Sequence, residues 1–105
     1  MNMKFIFLYV TFGSKKEAVK VSESLLQKKL IACANIFPIE SAYWWERKIK
    51  KSKEVVAILK TTSSRVSRVK REILLHHSYQ VPCITQISAE PNKEYASWLL
   101  RQFSP

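Results

Sequence analysis

Residues 4–11 read KFIFLYVT, a run of aromatic and β-branched side chains with almost no polar interruption. Such a run suits a strand placed centrally in a sheet, where neither edge faces water. A signal-peptide core is the competing reading, because Lys4 precedes the apolar stretch. The stretch is short, however, and no small-residue cleavage pattern follows before Lys15 and Lys16. A first strand is therefore expected. Gly13 then turns the chain, and Ser14-Lys15-Lys16-Glu17 has the form of a capping box opening a helix. Ala18, Val21, Leu25 and Leu26 share one face of that helix, with Lys16, Lys20 and Glu23 toward solvent; it is expected to end near Lys29.

Working outward, residues 31–36 begin a second strand that continues through 41–49 (SAYWWERKI), with Pro38 marking an edge position or a bulge. Residues 50–53 are expected to form the turn. They lack Gly, Asn and Asp, so a longer and more mobile tip is predicted in place of a two-residue turn. Residues 54–60 (EVVAILK) return as a third strand. Residues 61–64 offer hydroxyl caps for a second helix carrying Val66, Val69 and Ile73, which ends at His76-His77-Ser78-Tyr79. Pro82 leads into a fourth strand at 83–88. Pro91-Asn92 opens a third helix with Tyr95, Trp98, Leu99 and Phe103 on its apolar face.

The order β-α-β-β-α-β-α predicts an α+β, ferredoxin-like βαββαβ sandwich with an extra C-terminal helix. It has a four-stranded antiparallel sheet with helices on one face, the first and third strands central. All 105 residues are expected to form one such domain. The composition excludes much else. A hydrophobic fraction of 47% argues against disorder, and no apolar run reaches the ~18–20 residues of a membrane span. Gly13 is the only glycine, so phosphate-binding loops, dinucleotide fingerprints and nucleophile elbows are absent. An acylphosphatase on this superfold would need an Arg cradle in a Gly-rich loop after the first strand, and Phe12-Gly13-Ser14-Lys15 has none. No nucleophile stands beside a base, so the chain is read as not an enzyme.

Lys and Arg number 18 against 8 acidic residues, all Glu, for a formal net charge of +10. The run Arg47, Lys48, Lys50, Lys51, Lys53 is expected to concentrate that charge at the hairpin tip. It serves either to block edge-to-edge pairing or to attract polyanions without sequence preference. Tyr43, Trp44 and Trp45 alternate faces of an edge strand, so large rings project from both sides. They either stack nucleobases, as in a basic RNA-binding module of the same superfold, or bury themselves against a neighbouring subunit. RNA modules carry aromatics on both central strands, and residues 54–60 have none. The interface reading is favoured, with no specific nucleic acid and no membrane as partner.

Four segments together resemble the CutA divalent-cation tolerance family: Leu30-Ile31-Ala32-Cys33-Ala34-Asn35 with Pro38, Ser41-Ala42-Tyr43-Trp44-Trp45-Glu46, Leu59-Lys60-Thr61-Thr62, and His77-Ser78-Tyr79-Gln80-Val81-Pro82. Tyr95-Ala96-Ser97-Trp98-Leu99 is similar to that family's C-terminal helix. The resemblance implies a ferredoxin-like subunit in a cytoplasmic homotrimer, associated with tolerance of copper and other divalent metals and with no settled reaction. Arg47, Ser78, Cys83 and Pro91-Asn92 depart from the family pattern, and Val10 stands where some members carry a proposed copper ligand.

The metal candidates are His76 and His77, since imidazole suits copper, or another divalent cation. Adjacent helical residues point about 100° apart, so the pair does not chelate one ion unaided. A helix C-terminus is their other reading. Cys33 and Cys83 are read either as small buried hydrophobes or as soft metal ligands. They fall at opposite sheet edges and form no disulfide, in keeping with a reducing compartment. Glu46, Lys60 and Tyr79, with Tyr43, Trp44 and Trp45, are assigned to an intersubunit cleft or interface. That cleft could hold a small anion or effector, the alternative of a regulatory trimer.

Overall fold

The structure, a computed structural model, describes residues 4–104; Met1–Met3 and Pro105, the ends of the expected 1–105 domain, lie outside the described residues. Its elements are β1 (Phe5–Phe12), α1 (Lys15–Gln27), β2 (Cys33–Trp45), β3 (Lys48–Thr62), α2 (Val66–His76), β4 (Ile84–Ala89) and α3 (Lys93–Arg101). The sheet order is β2-β3-β1-β4 with every neighbouring pair antiparallel, which places β1 and β3 centrally as the sequence predicts.

β1 alternates buried and half-buried positions. Ile6, Leu8, Val10 and Phe12 point into the core with Leu59 and Ala57 of β3, and meet Ala18, Val21 and Leu25 of α1 and Val66, Val69 and Ile73 of α2. Cross-strand partners share a face. Phe7, Tyr9, Ile58 and Lys60 therefore lie on the opposite face, in register as Phe7↔Lys60 and Tyr9↔Ile58. α3 reaches that second face at one end, where Lys60 Nζ donates to the Tyr95 hydroxyl at 3.1 Å and lies over the Phe7 and Tyr95 rings.

Ser14 caps α1 by accepting the Glu17 N–H at 3.2 Å. The Glu17 carboxylate does not close the expected box; it accepts instead from the Ser78 hydroxyl and N–H. α1 ends two residues before Lys29. There the Leu30 N–H reaches the Leu25 carbonyl and the Lys29 N–H the Leu26 carbonyl, with Lys29 at φ 58 in the place usually taken by glycine. The hydroxyl caps expected for α2 serve elsewhere. Thr61 and Thr62 are the buried end of β3, Thr61 donates to the Leu30 carbonyl, and the N-cap Arg65 makes no side-chain capping bond, its guanidinium donating to Thr62 Oγ1 instead.

The largest correction concerns the hairpin. The predicted turn at residues 50–53 is strand, and the mobile tip is a two-residue turn, Glu46-Arg47, at φ 49 and 68. Trp45 pairs with Lys48, and the ladder runs back without a break to Cys33↔Lys60. Two successive left-handed residues match the right-handed twist of the flanking strands. Because β1 stops at Phe12↔Val55, residues 39–54 continue as a two-stranded ribbon beyond the sheet, and the molecule measures 47 × 24 × 21 Å. The basic run is spread along this ribbon, with only Arg47 in the turn.

Candidate functional site

The ribbon roofs a cleft of about 640 Å³. One wall is the ribbon face bearing Ser41, Tyr43 and Trp45 of β2 and Lys50, Ser52 and Glu54 of β3. These share a face because Ser41↔Ser52 and Tyr43↔Lys50 are register pairs. The other wall is the segment between α2 and β4, with Ser78, Tyr79, Gln80 and Cys83, and Gly13 lies at the floor.

Two hydrogen bonds order this cleft. The Tyr79 hydroxyl donates to Glu54 Oε1 at 2.7 Å, and the Tyr43 hydroxyl and Ser52 Oγ are 3.3 Å apart. Burial pushes the Tyr79 phenol far above its ordinary range, and the bond to Glu54 adds to the shift, so the ring is a permanent donor at neutral pH. A methyl group on Gly13 would lie 3.2 Å from the Tyr79 ring edge, a tight approach that the ring would have to yield to. Lys50 and Lys53, also at the cleft, make no ion pair or side-chain hydrogen bond among the described residues.

The two histidines part company. His77 is buried, with 1% of its side chain exposed, and stacks on Phe12. Its Nε2 lies 2.7 Å from the Thr11 carbonyl oxygen, and its Nδ1 lies 3.0 Å from the Tyr79 backbone nitrogen. A carbonyl only accepts and a backbone N–H only donates, so the ring is the neutral Nε2–H tautomer with no free lone pair. His77 is thereby a brace that carries the chain from α2 to the Tyr79 wall. His76 is exposed, with Nε2 3.7 Å from Glu72 Oε2, the oxygen that also accepts from Lys28 Nζ at 2.7 Å. That hydrogen bond holds the Glu72 carboxyl below the usual carboxylate range. Among the described residues no three His, Cys, Asp or Glu side chains converge.

The thiols are both free. Cys33 is half-buried, opposite Lys60 in register, whereas Cys83 is exposed at the cleft with Sγ 3.4 Å from Thr85 Oγ1, so it is not the buried hydrophobe expected. Tyr43, Trp45 and Tyr79 share the cleft, while Trp44, Glu46 and Lys60 do not line it. Trp44 projects from the other ribbon face at 71% exposure, opposite Ile49 at 63%. Glu46 sits in the turn, and Lys60 is engaged with Tyr95 at the far end of the sheet. Glu54 was not singled out from sequence; its place in a hydrophilic strand start carries no signal until Tyr79 is seen against it.

Compared with known proteins, residues 6–102 match the family model described as CutA1 divalent ion tolerance protein. The chain belongs to the CutA1 family. It is 45% identical to the divalent-cation tolerance protein CutA of Archaeoglobus fulgidus over 89% of this chain and 92% of that one. It is 43% identical to the Thermococcus kodakarensis protein of the same name over 94% and 96%. The solved structure of the Archaeoglobus protein, described as a periplasmic divalent cation tolerance protein, superposes with a TM-score of 0.90 at 42% identity, covering 95% of this chain and 99% of that one. That of Ehrlichia chaffeensis CutA1 gives 0.92 at 34% identity over the whole of both chains. The α+β architecture with its antiparallel four-stranded sheet is thus the CutA1 fold. The family is described by tolerance of divalent ions and not by a reaction. Among the described residues no helix is long and apolar enough to cross a membrane.

Proposed function

We propose that the chain acts in divalent-cation tolerance as a non-catalytic cytoplasmic homotrimer, its 105 residues forming one domain, with copper as the preferred ion. The observation that carries the trimer is the ribbon and the sheet face continuous with it. Phe37, Trp44, Ile49 and Ile87 are exposed there, and β2 and β4 are both open edges. Each large side chain fully buried contributes about 1.5–3 kcal/mol. Two different open edges favour a head-to-tail contact, and only closure of that contact into a ring leaves no edge exposed to further chains. Self-repulsion between strongly basic subunits opposes closure, so assembly tightens with salt. Light scattering coupled to gel filtration at physiological salt tests this; a stable monomer refutes it.

Copper rests on His76. Imidazole binds divalent copper more strongly than the other common divalent first-row ions. His76 is the histidine with an accessible ring, and Glu72 stands beside it. Lys28 occupies the same carboxylate oxygen, which supports weak binding that a second subunit or water completes. Titration calorimetry of the wild type against His76→Ala is the test; equal heats remove the assignment. Two free thiols support a reducing compartment. Any nucleic-acid binding is read as weak, sequence-independent and salt-sensitive, carried by the ribbon lysines.

A further inference from the structure

We propose that the cleft under the ribbon binds a small aromatic monocarboxylate that carries a hydrogen-bond donor at the end of its ring remote from the carboxylate. The volume of about 640 Å³ falls within the range of small-molecule pockets. Tyr43, Trp45 and Tyr79 give it flat apolar walls. Its polar groups are unevenly distributed. Lys50, the register partner of Tyr43, presents an ammonium group that no acidic side chain neutralises among the described residues. Glu54 lies four residues further along the same face, about 13 Å along an extended strand. Among the described residues only its Oε1 is engaged, by Tyr79.

An ammonium at one end and a half-occupied carboxylate at the other select a ligand with opposite polarity at its two ends. A carboxylate meets Lys50, a ring lies along the aromatic wall, and a hydroxyl or amino group donates to the remaining Glu54 oxygen. The same carboxylate disfavours multiply charged phosphates, which would also lack a glycine-rich nest or an arginine fork here. Tyr79 fixes Glu54 without competing for the second oxygen, and His77 fixes Tyr79 through its backbone N–H. The site is therefore held in place before anything binds. All of these groups belong to one chain.

Titration calorimetry with 4-hydroxyphenylacetate and phenylacetate tests the proposal, light scattering on the same samples recording assembly separately. The hydroxylated probe is expected to bind about tenfold more tightly, the effect of one hydrogen bond to a carboxylate. Glu54→Gln keeps an acceptor for Tyr79 but offers the ligand hydroxyl only a neutral amide N–H, and should cut that preference severalfold. Lys50→Ala, on the exposed ribbon, should weaken both probes about fivefold. Chemical-shift changes on binding should fall on Tyr43 and the Trp45 indole N–H. Absence of binding at tens of millimolar, shift changes elsewhere, or a preference unchanged in Glu54→Gln would overturn the assignment, whatever the oligomeric state.

Discussion

The Tyr79 hydroxyl donates to Glu54 Oε1 at 2.7 Å, tying the segment after α2 to the base of the ribbon. Hydrogen bonds to charged groups contribute about 1.5–3 kcal/mol when buried. Both partners here are half-buried, so Tyr79→Phe should cost less, about 1 kcal/mol. Urea denaturation read by circular dichroism measures it.

The same bond has a pH signature. The folded-state pKa of Tyr79 is raised by burial, then by Glu54. Below the unfolded tyrosine pKa of about 10, both states hold the proton and stability is unaffected. As pH rises past that value the unfolded chain loses its proton while the folded one keeps it, so stability falls. Melts between pH 8 and pH 11 should show a decline that is shallower in Tyr79→Phe.

The ribbon turn is the clearest case in which residue type misleads. Glu46 and Arg47 both take left-handed φ, yet neither is a residue that adopts it cheaply, so nothing in their identity marks a two-residue turn. The lysines after them read as loop, although they are strand paired rung by rung to β2. By contrast β1, α1 and the strand order were legible because continuous apolar runs and helical spacing follow directly from burial. In the cleft, aromatic alternation marks Tyr43 and Trp45, whereas Tyr79 is expected beside Glu46 and Lys60, neither of which lines it. The pairing of Glu54 with Tyr79 spans 25 positions and leaves no local trace. The histidine pair showed the reverse difficulty: adjacent identical residues have opposite surroundings, one solvent, the other the Thr11 carbonyl and Phe12.

Arg47→Gly should consequently stabilise the protein. Each non-glycine residue in the left-handed region carries a cost of about 1–2 kcal/mol, partly offset by glycine's greater freedom in the unfolded chain. A net gain of about 0.5–1 kcal/mol is expected, seen as a higher midpoint in urea. A lower midpoint would mean that Arg47 makes contacts within the assembly that outweigh the backbone term.

The division between the histidines makes the final prediction. Diamagnetic zinc, titrated while imidazole nitrogen shifts are followed by NMR, should move the His76 resonances and leave those of His77 in place. His77 should show the pattern of a neutral ring protonated at Nε2, since Thr11 accepts there and Tyr79 donates to Nδ1. His77→Ala removes a buried ring stacked on Phe12 and leaves the Tyr79 N–H without its partner. A loss of about 2–4 kcal/mol is expected from the cavity and the orphaned donor together. His76→Ala, at an exposed position, should change stability by less than about 0.5 kcal/mol. If zinc instead shifts His77 before His76, the brace must open readily, and the ring at the root of the cleft becomes the metal ligand.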